Sequence, residues 1–200
     1  MRVIAGKWRG RRLRAPRGDE VRPTTDRVKE ALFSILGGDV AGTLCLDLCC
    51  GSGSLGIEAL SRGADSAVFV DRSGASLQLA RRNLEDCGAD PAVWSLIRAN
   101  AGEWFERWRP PESKTPWILL ADPPYRSGLV ETIMARIRVL AGSPGFRAAI
   151  LEHGTGTDLG GGDADRSAGD GCGDDLRLDT RRYGESCLTV IRGRSTPAGG

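Results

Sequence analysis

Two clusters in this 200-residue chain have residue types and spacings suited to chemistry. The first is Asp122-Pro123-Pro124-Tyr125. Consecutive prolines fix φ and remove backbone donors, which leaves the carbonyls of the tetrad free to accept hydrogen bonds. The Asp122 carboxylate is another acceptor, and the Tyr125 ring offers a flat stacking face. Such a set suits the exocyclic amine of a nucleobase: acceptors take its N–H groups, and the lone pair is aimed at an electrophile. In-line methyl transfer is a reaction of this kind, driven mainly by positioning. A base must leave its stack to enter such a pocket.

The second cluster is Asp47-Leu48-Cys49-Cys50-Gly51-Ser52-Gly53. Apolar Leu44-Cys45-Leu46 leads into it and a helix-like stretch from Ser54 to Ser61 follows, so the order reads strand, tight turn, helix. In an open α/β sheet, ligands bind at the carboxyl ends of the strands. Asp71 closes the next apolar run, Ala67-Val68-Phe69-Val70, and an acid there can bond a ribose hydroxyl. The turn is not G-x-G-x-x-G, because Gly51-x-Gly53 is followed by Leu55 and Gly56. A nucleoside without a pyrophosphate therefore fits better than a dinucleotide. S-adenosylmethionine would set its amino acid at the turn, its ribose at Asp71 and its adenine near Asn100-Ala101.

The elements that must position these residues follow from periodicity. Strands are expected over about 43–48, 67–70, 93–98, 117–121 and 148–151, with helices over 54–62, 73–87, a short one carrying Trp104, Phe105 and Trp108, and 128–141. Such alternation predicts a mostly parallel sheet covered on both faces. Residues 176–180 and 187–192 predict a closing hairpin, an antiparallel edge. A helix capped by Thr25 or Asp26 should run to Leu36 with Val28, Ala31, Leu32, Ile35 and Leu36 inward. Residues 154–175 hold eight glycines and six aspartates, with Leu159 the one large apolar residue. They read as a mobile loop, and the aspartates do not follow EF-hand spacing. His153 is expected at a strand end, not as a base.

The net charge of +2 hides an asymmetry. Residues 1–17 carry seven basic side chains and no acid, so the rest of the chain sums to −5. A basic arm on a near-neutral body is the footprint of a polyanion partner. Residues 2–14 read as two short strands around Gly6 and Gly10, pinned by Val3, Ile4 and Leu13. Arg9, Arg11 and Arg12 would then face a phosphate backbone, to which guanidinium groups donate paired hydrogen bonds. No apolar run approaches the roughly 18 residues that span a bilayer, and the basic N-terminus lacks the apolar core of a leader, so a cytoplasmic protein is expected. The six cysteines lack C-x-x-C spacing and read as small buried thiols. No metal site is expected.

The chain resembles the bacterial RsmD-type methyltransferases, which modify the N2 amine of a guanine in small-subunit (16S) ribosomal RNA. The resemblance rests on the arm from Arg2 to Arg11, on Arg22-Pro23-Thr24-Thr25-Asp26-Arg27 and the helix after it, on Asp47 to Gly53 with Leu55 to Ala64, on Asp122 to Tyr125, and on Arg182-Tyr183-Gly184. It implies a Rossmann-like class I methyltransferase fold, a seven-stranded sheet with an antiparallel C-terminal edge. Residues 1–21 would form a basic RNA-contacting hairpin and residues 22–200 the catalytic domain. It implies S-adenosylmethionine as cofactor, held by Thr24, Thr25, Asp47, Cys49, Gly51, Ser52, Gly53, Asp71, Arg72, Asn100 and Ala101. Asp122, Pro123, Pro124 and Tyr125 would be catalytic. Lys7, Trp8, Arg9, Arg11, Arg12, Arg22 and Arg27 would contact RNA, and the partner would be small-subunit rRNA in a 30S particle, bound by a monomer. Cys49-Cys50 departs from the family's aromatic-alanine pair, and the 154–175 stretch and Glu185-Ser186 depart from its C-terminal pattern. The competing readings are a DNA adenine-N6 or cytosine-N4 methyltransferase and a non-catalytic RNA-binding factor.

Overall fold

The computed structural model describes residues 1–16, 26–113, 115–124, 127–157, 159 and 176–193. Strands β1 (Leu44–Leu48), β2 (Ser66–Asp71), β3 (Trp94–Arg98), β4 (Trp117–Ala121), β5 (Phe146–Gly154), β6 (Leu176–Tyr183) and β7 (Ser186–Gly193) join in one seven-stranded sheet of order β3-β2-β1-β4-β5-β7-β6. β1 to β5 pair in parallel, while β7 runs antiparallel to β5 and to β6. The expected antiparallel edge is therefore present, with longer strands than the apolar runs alone indicated. His153 lies inside β5, buried, with Nε2 2.8 Å from Thr189 Oγ1.

Helices α1 (Asp26–Leu36), α2 (Ser54–Ser61), α3 (Gly74–Cys87), α4 (Ala101–Arg107) and α5 (Leu129–Leu140) cover the sheet. Alternate strand residues feed two separate cores. Cys45, Phe69, Ile118, Leu120 and Ile150 pack toward α1, α2 and α3. Leu46, Leu48, Val70, Leu119 and Leu151 pack toward α4 and α5. The central strand β4 is buried at all five positions, which is why its sequence is a continuous apolar run.

α1 is rotated from the expected phase. It buries Val28, Lys29, Leu32, Phe33 and Leu36, so Lys29 and Phe33 replace Ala31 and Ile35 on the inner face. α2 is buried along its whole length, because the N-terminal arm lies across its outer side. The arm is not a pair of strands. It closes on itself through one antiparallel bridge, Arg2 to Arg12, and turns. Gly6, at φ 81°, is where it presses on α2: a Cβ there would sit 1.8 Å from the Ser61 carbonyl oxygen. Among the described residues no helix is long and apolar enough to cross a membrane.

Candidate active site

The strand order reverses between β1 and β4, so a crevice opens at their carboxyl ends. Leu48 pairs with Val70 of β2 on one side and Ala121 of β4 on the other. The next residues along β1 and β4 are Cys49 and Asp122, and the residue after Val70 is Asp71. Sequence positions 49, 71 and 122 thus converge on one edge of the sheet through register alone.

The glycine turn is held by the two acids on either side of it. Gly51 (φ 52°) and Gly53 (φ 77°) take left-handed conformations, as expected. The Gly51 N–H donates to Asp71 Oδ2 at 2.9 Å, and Asp71 Oδ1 accepts from the Ser73 N–H at 2.8 Å. Asp47 does not face the crevice as expected. It is 1% exposed and turns toward α2, where its Oδ2 accepts the Gly56 N–H at 2.8 Å. That bond satisfies an amide of the first helical turn that has no intrahelical acceptor. The fit is close, since a Cβ at Gly56 would meet Phe69 at 2.3 Å. Burial pushes the Asp47 carboxyl up to about 7; the Gly56 bond opposes this, and the charges of Asp122 and Asp71 add to it.

Cys49 sits at φ 60°, a strained conformation for a residue with a Cβ. Burial first, then the Asp71, Asp47 and Asp122 charges, push its thiol up to about 12, with Arg72 acting in the opposite sense. Burial raises the Cys45 and Cys50 thiols as well, in keeping with inert packing. Arg72 is exposed beside Asp71. The Ser52 hydroxyl lies 3.8 Å from Met1 Sδ. Asn100 caps α4, its Oδ1 accepting the Gly102 N–H at 3.0 Å, and Ala101 is buried behind it.

Asp122 and Pro123 follow β4 directly, with Pro123 buried and Asp122 half-buried. The acceptor set differs from expectation at the Pro124 carbonyl. The Pro124 carbonyl already accepts the Ser127 N–H at 3.2 Å and the Ser127 hydroxyl at 2.7 Å. Ser127, two residues before α5, supplies both donors. Tyr125, Thr24, Thr25 and Arg22 lie outside the described residues, as does most of the glycine- and aspartate-rich stretch.

The arm is docked by polar side chains that sequence reasoning passed over. Glu58, fully buried, accepts the Ile4 and Ala5 N–H groups at 2.8 and 3.0 Å and the Arg62 Nε–H at 2.8 Å. Lys29, also fully buried, lies 3.5 Å from Glu58 Oε2 and donates to the Arg2 carbonyl at 2.5 Å. Burial lowers the Lys29 ammonium from its usual range, with Glu58 the largest opposing influence. Ser61 accepts the Trp8 N–H at 2.9 Å. The available signal was a lone glutamate in the otherwise uncharged run Ser54 to Ser61.

Trp8 is a correction. Placed with the RNA-facing residues on sequence grounds, it is only 8% exposed and belongs to the core, and Lys7 Nζ lies 5.7 Å from its ring centre. Lys7, Arg9, Arg11 and Arg12 are exposed, as is Arg27 on the first turn of α1. Arg11 Nη1 donates to the Asp86 carbonyl at 2.6 Å.

The sheet order and its solved neighbours define the class I methyltransferase fold. The structure of the putative methyltransferase yhhF of Escherichia coli covers 98% of this chain and 99% of its own, with TM-score 0.74 and 28% identity. The putative RNA methyltransferase PH1948 of Pyrococcus horikoshii shares the fold at TM-score 0.61 and 13% identity, over 92% of each chain. Residues 1–144 match the family described as conserved hypothetical protein 95, and the chain belongs to that family, the RsmD-type methyltransferases. Ribosomal RNA small subunit methyltransferase D of E. coli (strain K12) is 40% identical over 131 residues, 66% of this chain and 63% of that protein. The aligned part thus spans a little under two thirds of that relative's length. The putative rRNA methyltransferase YlbH of Bacillus subtilis (strain 168) is 39% identical over 137 residues, 68% of this chain and 73% of its own.

Proposed function

We propose that this protein transfers a methyl group from S-adenosylmethionine to the exocyclic N2 amine of a guanine in 16S rRNA, presented within a small-subunit particle. The observation that carries the reading is the convergence of Asp122, Cys49 and Asp71 at the β1–β4 switch point. Asp71 and Asp122 lie at this edge of the sheet with Arg72 opposing them at Cys49, so acids outnumber the cation there. That balance favours a cationic sulfonium and disfavours a pyrophosphate. The Gly51 amide, which a phosphate would need, already donates to Asp71. Space for a ligand lies over Gly51, where an added Cβ would meet nothing within 4 Å.

The residues present fit the cofactor. The turn at Gly51 and Gly53 would take its amino-acid end, Asp71 its ribose, and Asn100 with Ala101 its adenine. When bound it supplies an electrophilic methyl group. Asp122 holds an amine hydrogen and fixes the lone pair toward that group, while Pro123 keeps the acceptor rigid. In this reading Tyr125 stacks on the flipped base, and Thr24 and Thr25 border the donor. Lys7, Arg9, Arg11, Arg12, Arg22 and Arg27 hold the RNA backbone, and the monomer works in the cytoplasm, where small subunits assemble.

The test is transfer of labelled methyl to small subunits lacking N2-methylguanosine, with wild type and Asp122→Ala compared. Label recovered as N2-methylguanosine with wild type alone is expected. Label in duplex DNA instead, or in no nucleic acid, would overturn the reading.

A further inference from the structure

Asn83 on α3 is fully buried and is not among the site residues expected from the sequence. Its Oδ1 accepts the Arg14 N–H at 2.8 Å, and its Nδ2 donates to the Arg14 carbonyl at 3.1 Å. The same Nδ2 donates to the Ser52 carbonyl, in the middle of the glycine turn, at 2.9 Å. One amide therefore joins the end of the basic arm to the turn. One helical turn further on, Asp86 fixes the arm's cations: Arg14 Nε donates to its Oδ2 at 2.8 Å and Arg11 Nη1 to its carbonyl at 2.6 Å. Met1 Sδ against the Ser52 hydroxyl is a second contact between arm and turn.

We infer that Asn83 is a positioning residue that couples RNA binding on the arm to cofactor binding at the glycine turn. The inference rests on the methyltransferase reading above. With the arm seated, all three Asn83 bonds form. With only the Arg14 end of the arm unseated, the buried Asn83 amide loses both Arg14 partners and can turn away from Ser52. A polyanion that spans Arg9, Arg11 and Arg12 in their seated arrangement binds that state better, and so favours a more ordered turn. A ligand ordering the turn favours the seated arm in return. Each ligand meets an ordering cost that the other has already met, which is positive cooperativity without a large rearrangement. The effect must be reciprocal.

The experiment measures the Kd of S-adenosylhomocysteine by calorimetry, alone and with a saturating 16S rRNA transcript, and the Kd of the transcript with and without S-adenosylhomocysteine. Wild type should show the same tightening in both directions, about fivefold or more. In Asn83→Ala and Asn83→Asp the factor should fall close to one. Asn83→Asp keeps an acceptor for the Arg14 N–H but loses both donated bonds. Arg9→Ala should weaken RNA binding and keep the factor. A drop in thermal stability with the factor retained would mean that Asn83 only supports the fold, and would overturn the inference. Amide exchange in wild type needs no variant. It should slow at residues 51–53 on adding RNA, and at residues 3–14 on adding S-adenosylhomocysteine. Binding of both ligands with no mutual effect would overturn the coupling alone, whereas absent S-adenosylhomocysteine binding would overturn the cofactor reading as well.

Discussion

The two faces of the sheet are built on different physics. On the side of α1, α2 and α3, the arm is held by directional bonds to Glu58, Ser61, Lys29 and Asn83, two of them buried charges. On the side of α4 and α5 the packing is apolar and includes a cluster of aromatic rings. Trp108 meets Trp117 edge-on with ring centres 4.9 Å apart, and Trp117 meets Phe146 at 4.8 Å. The buried Trp117 Nε1 has no hydrogen-bond partner among the described residues. Apolar packing tolerates small displacement and substitution of similar volume. A buried polar network does not, because each lost partner strands a desolvated group. The face that carries the proposed RNA grip is thus the one held in fixed register with the glycine turn.

The largest effect is expected at Glu58. Glu58→Ala leaves the Lys29 ammonium buried and two arm amides without their acceptor. It should lower stability by roughly 3–5 kcal/mol in chemical denaturation and expose residues 1–16 to protease. A loss no larger than that of an ordinary surface substitution would show that the arm is not held this way.

The next effect is at Asp47 and depends on pH. Its carboxyl rises from 3.8 to about 7 in the folded state, so the folded protein binds the proton more tightly than the unfolded chain. Stability should therefore fall as pH rises from about 4 to about 7, and level off above. Asp47→Asn keeps an acceptor for the Gly56 N–H and removes the titration. Its advantage over wild type should grow across that window by a few kcal/mol, at about 1.4 kcal/mol per pKa unit. Denaturation midpoints at pH 5 and pH 8 measure it; parallel curves would contradict the burial of a charged Asp47.

The smallest effect is expected on the aromatic face. Trp117→Phe removes an indole N–H with no partner among the described residues and keeps a smaller ring in place. It should cost about 1–2 kcal/mol for the volume lost from a packed core and leave labelled-cofactor binding as in wild type. A loss comparable to that of Glu58→Ala would erase the distinction between the faces.

Much of this was legible in the sequence where backbone period dominates. The strand–helix alternation, the acids at residues 71 and 122, and the left-handed Gly51 and Gly53 followed from local pattern. The side of the sheet that each residue faces was less legible, although the clue was present. Asp47 shares the parity of Cys45, so it turns toward α2 and not into the crevice. Lys29 was invisible as a core residue because its partner Glu58 is 29 positions away. Trp8 was misplaced because an aromatic among arginines suggests stacking on bases, while its burial depends on α2 passing beneath the arm. Asn83 carries no local signature at all, since its meaning lies in Arg14 and Ser52.

One measurement separates the crevice from the arm: single-turnover methylation of small subunits across a range of RNA-particle concentrations, with Asp122→Ala and the Arg9→Ala/Arg12→Ala pair beside wild type. Asp122→Ala removes the acceptor and should lower the saturated rate by about a hundredfold or more, with half-saturation little changed. The arginine pair should shift half-saturation and reduce its salt dependence. Asp122→Ala methylating at the wild-type rate would contradict the assignment of the crevice as the site of transfer.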